Sequence, residues 1–112
     1  MDLVSIIIPA YNVDDYLKDC VHSIFHQTYT AYEIVIVDDG STDTTYQVCK
    51  ELALKNPKVK IYHQENHGVS FARNNGIKHA TGKYVIFVDA DDMLSPQYLE
   101  TLVSFAQKAD LG

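Results

Sequence analysis

Short apolar runs alternate along the chain with segments whose apolar positions recur at helical spacing. Residues 4–8 are almost continuously apolar and β-branched and are closed by Pro9, the pattern of a strand buried on both faces. Tyr16, Leu17, Cys20, Val21, Ile24 and Phe25 then fall on one helical face, with Asn12 as the expected N-cap. Residues 34–37 form the second strand, ended by Asp38-Asp39-Gly40-Ser41. Ser41 or Thr42 is expected to cap a helix that turns Tyr46, Cys49, Leu52 and Ala53 inward. Asn56-Pro57 stops that helix, and residues 59–62 make a third, shorter strand. A segment led by Gly68, with Ala72, Ile77 and Ala80 on its apolar face, reads as a third helix closed by Gly82. Residues 84–88 are the fourth strand. Ser95-Pro96 supplies a cap and a first-turn proline for a last helix carrying Leu99, Leu102, Val103 and Ala106 as far as Asp110-Leu111-Gly112.

Four β-α units in succession predict an α/β, Rossmann-like domain: a mostly parallel four-stranded sheet flanked by helices. No repeat, linker or low-complexity tract divides residues 1–112, so one domain is expected. Four strands with open edges resemble part of a larger fold, and the chain reads as truncated. The 46% hydrophobic and 21% charged residues exclude a disordered chain. Nine basic against fifteen acidic residues give a net charge of −6, which argues against nucleic acid or an anionic membrane as the main partner. No apolar run approaches the ~20 residues of a membrane span. Met1-Asp2 leads straight into the first strand, so no signal peptide and a cytoplasmic location are expected. Cys20 and Cys49 lie on apolar helix faces and read as reduced core thiols.

In an open parallel sheet, ligands sit beyond the carboxyl ends of the strands. Asp38-Asp39 follow the second strand and Asp89-Ala-Asp91-Asp92 follow the fourth, which predicts five carboxylates gathered on one rim. An oxygen-only cluster of this kind suits a hard divalent cation, Mn²⁺ or Mg²⁺, whose shell substrate phosphates commonly complete. Arg73, the single arginine, suits phosphate or a base carbonyl. Pro9-Ala10-Tyr11-Asn12, after the first strand, offers an aromatic face for a base to stack on.

Four stretches now stand in order: Val4-Ser-Ile-Ile-Ile-Pro-Ala-Tyr-Asn12, Ile34-Val-Ile-Val-Asp-Asp-Gly-Ser-Thr-Asp43, Gly68-Val-Ser-Phe-Ala-Arg-Asn-Asn-Gly76 and Tyr84-Val-Ile-Phe-Val-Asp-Ala-Asp-Asp92. Together they resemble the N-terminal, nucleotide-sugar-binding half of family 2 glycosyltransferases with the GT-A fold. The resemblance implies inverting transfer of a sugar from a nucleoside-diphosphate sugar, a UDP-sugar by preference, to a hydroxyl of a saccharide or lipid-linked acceptor, as in polysaccharide biosynthesis. It implies that Pro9 and Tyr11 line the nucleobase pocket and that Asp39 meets the base edge. Arg73 would contact base or diphosphate, and Asp89 the ribose. Asp91, supported by Asp92, would carry the metal of a DXD motif, and Asp38 would support the nucleotide site. The family's catalytic base lies well downstream. After Asp92 only Glu100 and Asp110 are acidic, and neither matches that motif, so the base is expected beyond Gly112. The implied location of the full-length protein is the inner face of the membrane.

The competing reading is a nucleotide- and metal-binding module that transfers nothing. An Asp-x-Asp phosphatase would place its pair after the first strand with Thr two positions on, whereas position 93 is Met. A receiver domain would likewise want acids after the first strand. His22 and His26 read as surface residues, His63 and His67 as loop positions near the donor site, and His79 as a helix-end residue. Lys58 and Lys60 read as solvated edge charges. Self-association through uncovered apolar surface is expected.

Overall fold

A computed structural model describes residues 1–111. The chain runs β1 (Val4–Ala10), α1 (Leu17–Phe25), β2 (Tyr32–Asp39), α2 (Thr45–Lys55), β3 (Val59–Gln64), α3 (Val69–His79), β4 (Tyr84–Phe87) and α4 (Tyr98–Leu111). The four strands form one sheet in the order β3-β2-β1-β4, and every pairing is parallel. Among the described residues, no helix is long and apolar enough to cross a membrane.

Strand pleat divides the core. Ile6, Ile8, Ile34 and Ile36 pack with Leu17, Cys20 and Val21 of α1, Cys49 and Leu52 of α2, and Leu99 and Val103 of α4. Ile7, Val35 and Val37 point to the opposite face, where Ala72 of α3 meets them. Three helices thus cover one face and one covers the other, which explains why β1 and β2 read as continuously apolar. Pro9 lies within β1 rather than after it. The β1–β4 ladder runs only as far as Ile7↔Phe87, so Pro9 lacks its N–H where no neighbouring strand needs one.

Several local expectations are corrected. Asn12 does not cap α1; that helix begins after Tyr16, with no side-chain cap. Neither Ser41 nor Thr42 caps α2: Asp43 Oδ1 accepts from Thr45 N at 2.8 Å. On α3, Ile77 is half exposed, and Gly76 faces the sheet instead, where a β-carbon would lie 2.5 Å from Ile7 Cγ2. Gly82 does not close α3, which ends at His79 with Ala80 as its C-cap. It passes so close to β1 that a β-carbon would meet Leu3 O, Ser5 N and Ser5 Oγ, each at 2.7 Å. At the start of α4, Gln27 takes the role expected of Ser95, accepting from Leu99 N at 3.0 Å and donating to Ser95 O at 2.6 Å. Lys60 is no free edge charge: it pairs with Glu33, buried on β2, at 2.7 Å. Lys58 lies over the Tyr32 ring.

Candidate functional site

Because every strand is parallel, all four carboxyl ends open on one edge. From β1 the chain builds β2 and β3 to one side, whereas β4 joins on the other. The strand order therefore reverses between β1 and β4, where open α/β sheets bind ligands.

One part of this edge is a pocket of about 280 Å³ lined by Pro9, Ala10, Tyr11, Asp39, Asn66 and Gly68. Tyr11 is half exposed, presenting its ring rather than packing it away. Asp39 lies almost fully buried, the last residue of β2, and the β3–α3 loop closes around it. Oδ1 accepts from Gln64 Nε2 at 2.9 Å and His67 N at 2.8 Å; Oδ2 accepts from Gly68 N at 3.0 Å. Burial alone would raise its pKa, but these donors outweigh it and hold the carboxyl below its usual range. Asn66 donates to the Asp39 carbonyl. Gly40, in the left-handed region at φ 69°, sits so close that a β-carbon would lie 2.7 Å from Asn66 N.

Arg73, on α3, is held by a long ion pair to Asp89 (3.9 Å) and by the face of Phe87, 5.5 Å from the ring centroid. Its Nε is buried without a hydrogen-bond partner. The guanidinium is thus positioned with donors to spare.

Asp89, Asp91 and Asp92 each offer a carboxylate oxygen within 4.8 Å of the others, all on exposed residues. The turn that gathers them closes with Asp92 N donating to Asp89 O at 3.0 Å. Their field reaches the core beneath. Burial, followed by Asp92, Asp91 and Asp89, pushes the Cys20 thiol up to about 12. An exposed set of hard oxygen donors with Arg73 alongside fits a divalent cation and an anionic ligand.

The five-carboxylate rim is corrected. The structure brings three of the five together and assigns the other two elsewhere. Asp38 is fully buried; His63 Nδ1 donates to its Oδ2 at 2.7 Å and Ser41 N to its Oδ1 at 3.3 Å. Asp39 belongs to the pocket beside Tyr11, not to the acidic cluster. His63 is therefore the partner of a buried acid, while His79 stacks on Tyr62 and His67 lies against Phe71. His26 bonds back to the His22 carbonyl, and neither joins a metal-like cluster among the described residues. Glu100 accepts from Thr28 Oγ1. The Asp110 side chain lies outside what is described.

Sequence reasoning missed Gln64, Asn66 and the Gly68 amide as the cradle of Asp39. Gly68, at φ 97°, was the visible signal, read there only as a helix start. A larger hollow of about 340 Å³ between β4 and α4 is lined almost wholly by apolar side chains such as Val85, Leu99 and Ala106. It lies away from this chemistry.

The sequence profile of glycosyl transferase family 2 matches residues 5–112. Glycosyltransferase YibD of Escherichia coli (strain K12) is 50% identical over 108 residues, covering 96% of this chain and 31% of that protein. Among solved structures, residues 1–349 of S. aureus TarS in complex with UDP-GlcNAc are similar at a TM-score of 0.85 and 32% identity, covering 96% of this chain and 32% of that one. The mannosyltransferase PcManGT from Pyrobaculum calidifontis, in complex with GDP-Man and Mn²⁺, is similar at a TM-score of 0.72 and 32% identity, covering 80% of this chain and 28% of that one. The chain spans about a third of the length of these proteins.

Proposed function

Because the chain belongs to glycosyl transferase family 2, we propose that it is the donor-binding part of an enzyme that moves a sugar from a nucleoside-diphosphate sugar to an acceptor hydroxyl, with inversion. The observation that carries this reading is the placement, along one sheet edge, of an aromatic-walled pocket, an arginine with uncommitted donors and a three-carboxylate cluster. Tyr11 stacks on the base and Asp39 shapes the base-edge side of the pocket. Its three protein donors leave about one of four lone-pair positions for a ligand N–H. Arg73 takes a diphosphate oxygen, and Asp89 takes the ribose.

Asp91 and Asp92, with Asp89 beside them, would hold Mn²⁺ or Mg²⁺, which when bound neutralises the leaving diphosphate. The UDP-GlcNAc complex of TarS supports a uridine donor, and the PcManGT complex supports a divalent cation. The acceptor, a saccharide or lipid-linked hydroxyl, and a location at the inner membrane face belong to the same reading of the whole protein. Val85 and Phe87, exposed on the open edge strand β4, support self-association.

One observation favours the second reading, a binding module without transfer: Glu100, on α4, accepts from Thr28 Oγ1 and is not presented at the pocket. Titration calorimetry with UDP, GDP and ADP in Mn²⁺ tests the donor-site reading. Saturable UDP binding, tighter than GDP or ADP, supports it; no binding of any of the three overturns it. Turnover of a UDP-sugar by this chain alone would remove the binding-module alternative.

A further inference from the structure

We infer that Asn12 is a positioning residue that locks the loop carrying Tyr11 to the loop after Asp39 and so fixes the width of the base pocket. The inference rests on the nucleotide reading above.

Asn12 is the one non-glycine residue with positive φ among the described residues, at 51°. Such a backbone disfavours most side chains, but Asn tolerates it. Its side chain is exposed, so core packing does not impose the conformation. The amide does the work instead. Oδ1 accepts from Thr42 N at 2.8 Å, Asp43 N at 3.3 Å and Thr42 Oγ1 at 3.3 Å, and the Asn12 N–H donates to Ser41 Oγ at 3.0 Å.

Further links follow in register: Val13 N donates to Thr45 Oγ1 at 2.9 Å, and Thr44 Oγ1 to Asp14 Oδ2 at 2.8 Å. Tyr11 immediately precedes this seam where the chain leaves β1, and Asp39-Gly40 precede it where the chain leaves β2. The two pocket walls are therefore joined through Asn12, not through the base they would hold. Without its amide, two backbone N–H groups lose their acceptor and Tyr11 loses its fixed exit from β1.

Substitutions separate backbone from amide. Asn12→Gly keeps the left-handed φ and removes the acceptor, whereas Asn12→Asp keeps both; 0.3 M salt screens Asp14 and Asp43 from the added charge. In the full chain without nucleotide, Asn12→Gly should speed hydrogen exchange at the Thr42 and Asp43 amides about ten-fold, leaving Ile7 and Ile36 at wild-type rates. The Kd for UDP should rise about ten-fold while that for Mn²⁺-pyrophosphate stays unchanged, and Asn12→Asp should return both readouts to within about two-fold of wild type.

Unchanged exchange at Thr42 and Asp43 overturns the lock. Faster exchange with unchanged UDP affinity overturns the positioning role. Uniform acceleration across the core strands also overturns it, by making Asn12 a general stability residue. Absence of UDP binding in the wild-type chain would sink the nucleotide reading alone, and the exchange rates would still decide whether Asn12 joins the loops.

Discussion

Arg73 Nη2 stands 3.9 Å from Asp89 Oδ1, joining α3 to the acidic turn after β4. The distance is an ion pair's, too long for a hydrogen bond, so the guanidinium is aimed without being used up. Arg73→Ala should weaken UDP binding about 10- to 100-fold, the range of a lost charge-assisted bond. Arg73→Lys should recover little of it, since an ammonium lacks the planar fork. Circular dichroism unchanged beside this loss in calorimetry is the expected pair of results.

Glu33 is the second test, of stability rather than binding. Burial would raise its pKa, but Lys60, Ser5 and the Thr81 amide and hydroxyl outweigh it and lower the carboxyl from 4.5 to about 2. A depressed folded-state pKa stabilises above the unfolded value and fades as pH falls through the folded one. The contribution, on the order of 2–3 kcal/mol, should be present at pH 7 and lost between about pH 5 and 2. Urea melts of wild type and Glu33→Gln should differ most at neutral pH and converge near pH 2.

His63 and Asp38 give a third. His63→Ala leaves a fully buried carboxylate with one long backbone donor, and should cost about 1–3 kcal/mol. Because Asp38 lies outside the acidic cluster, Mn²⁺ affinity should stay within about two-fold of wild type. A large loss of Mn²⁺ affinity with unchanged stability would return Asp38 to the metal site.

Element order was legible because continuous apolar runs and helical spacing are strong signals, and a mostly parallel sheet followed from their alternation. The acidic turn was legible because Asp89, Asp91 and Asp92 are close in sequence. The split of Asp38 from Asp39, and of both from that turn, was not, because adjacent strand residues point to opposite faces. A two-residue acidic pair at a strand end thus splits into a core partner for His63 and a pocket residue wrapped by residues 64–68. Asn12 was misread for a related reason. Its side chain serves a loop 30 positions away, and a capping preference reveals nothing about which backbone N–H groups will be near. Lys60 looked solvated because its partner, Glu33, lies on a different strand.

Titration calorimetry of UDP with and without Mn²⁺, on wild type and Asp91→Asn, tests the central claim most directly. The account predicts that Mn²⁺ tightens UDP binding to wild type by about ten-fold or more, and that Asp91→Asn abolishes this gain while keeping the fold. Equal Mn²⁺-dependent tightening in both proteins would contradict it.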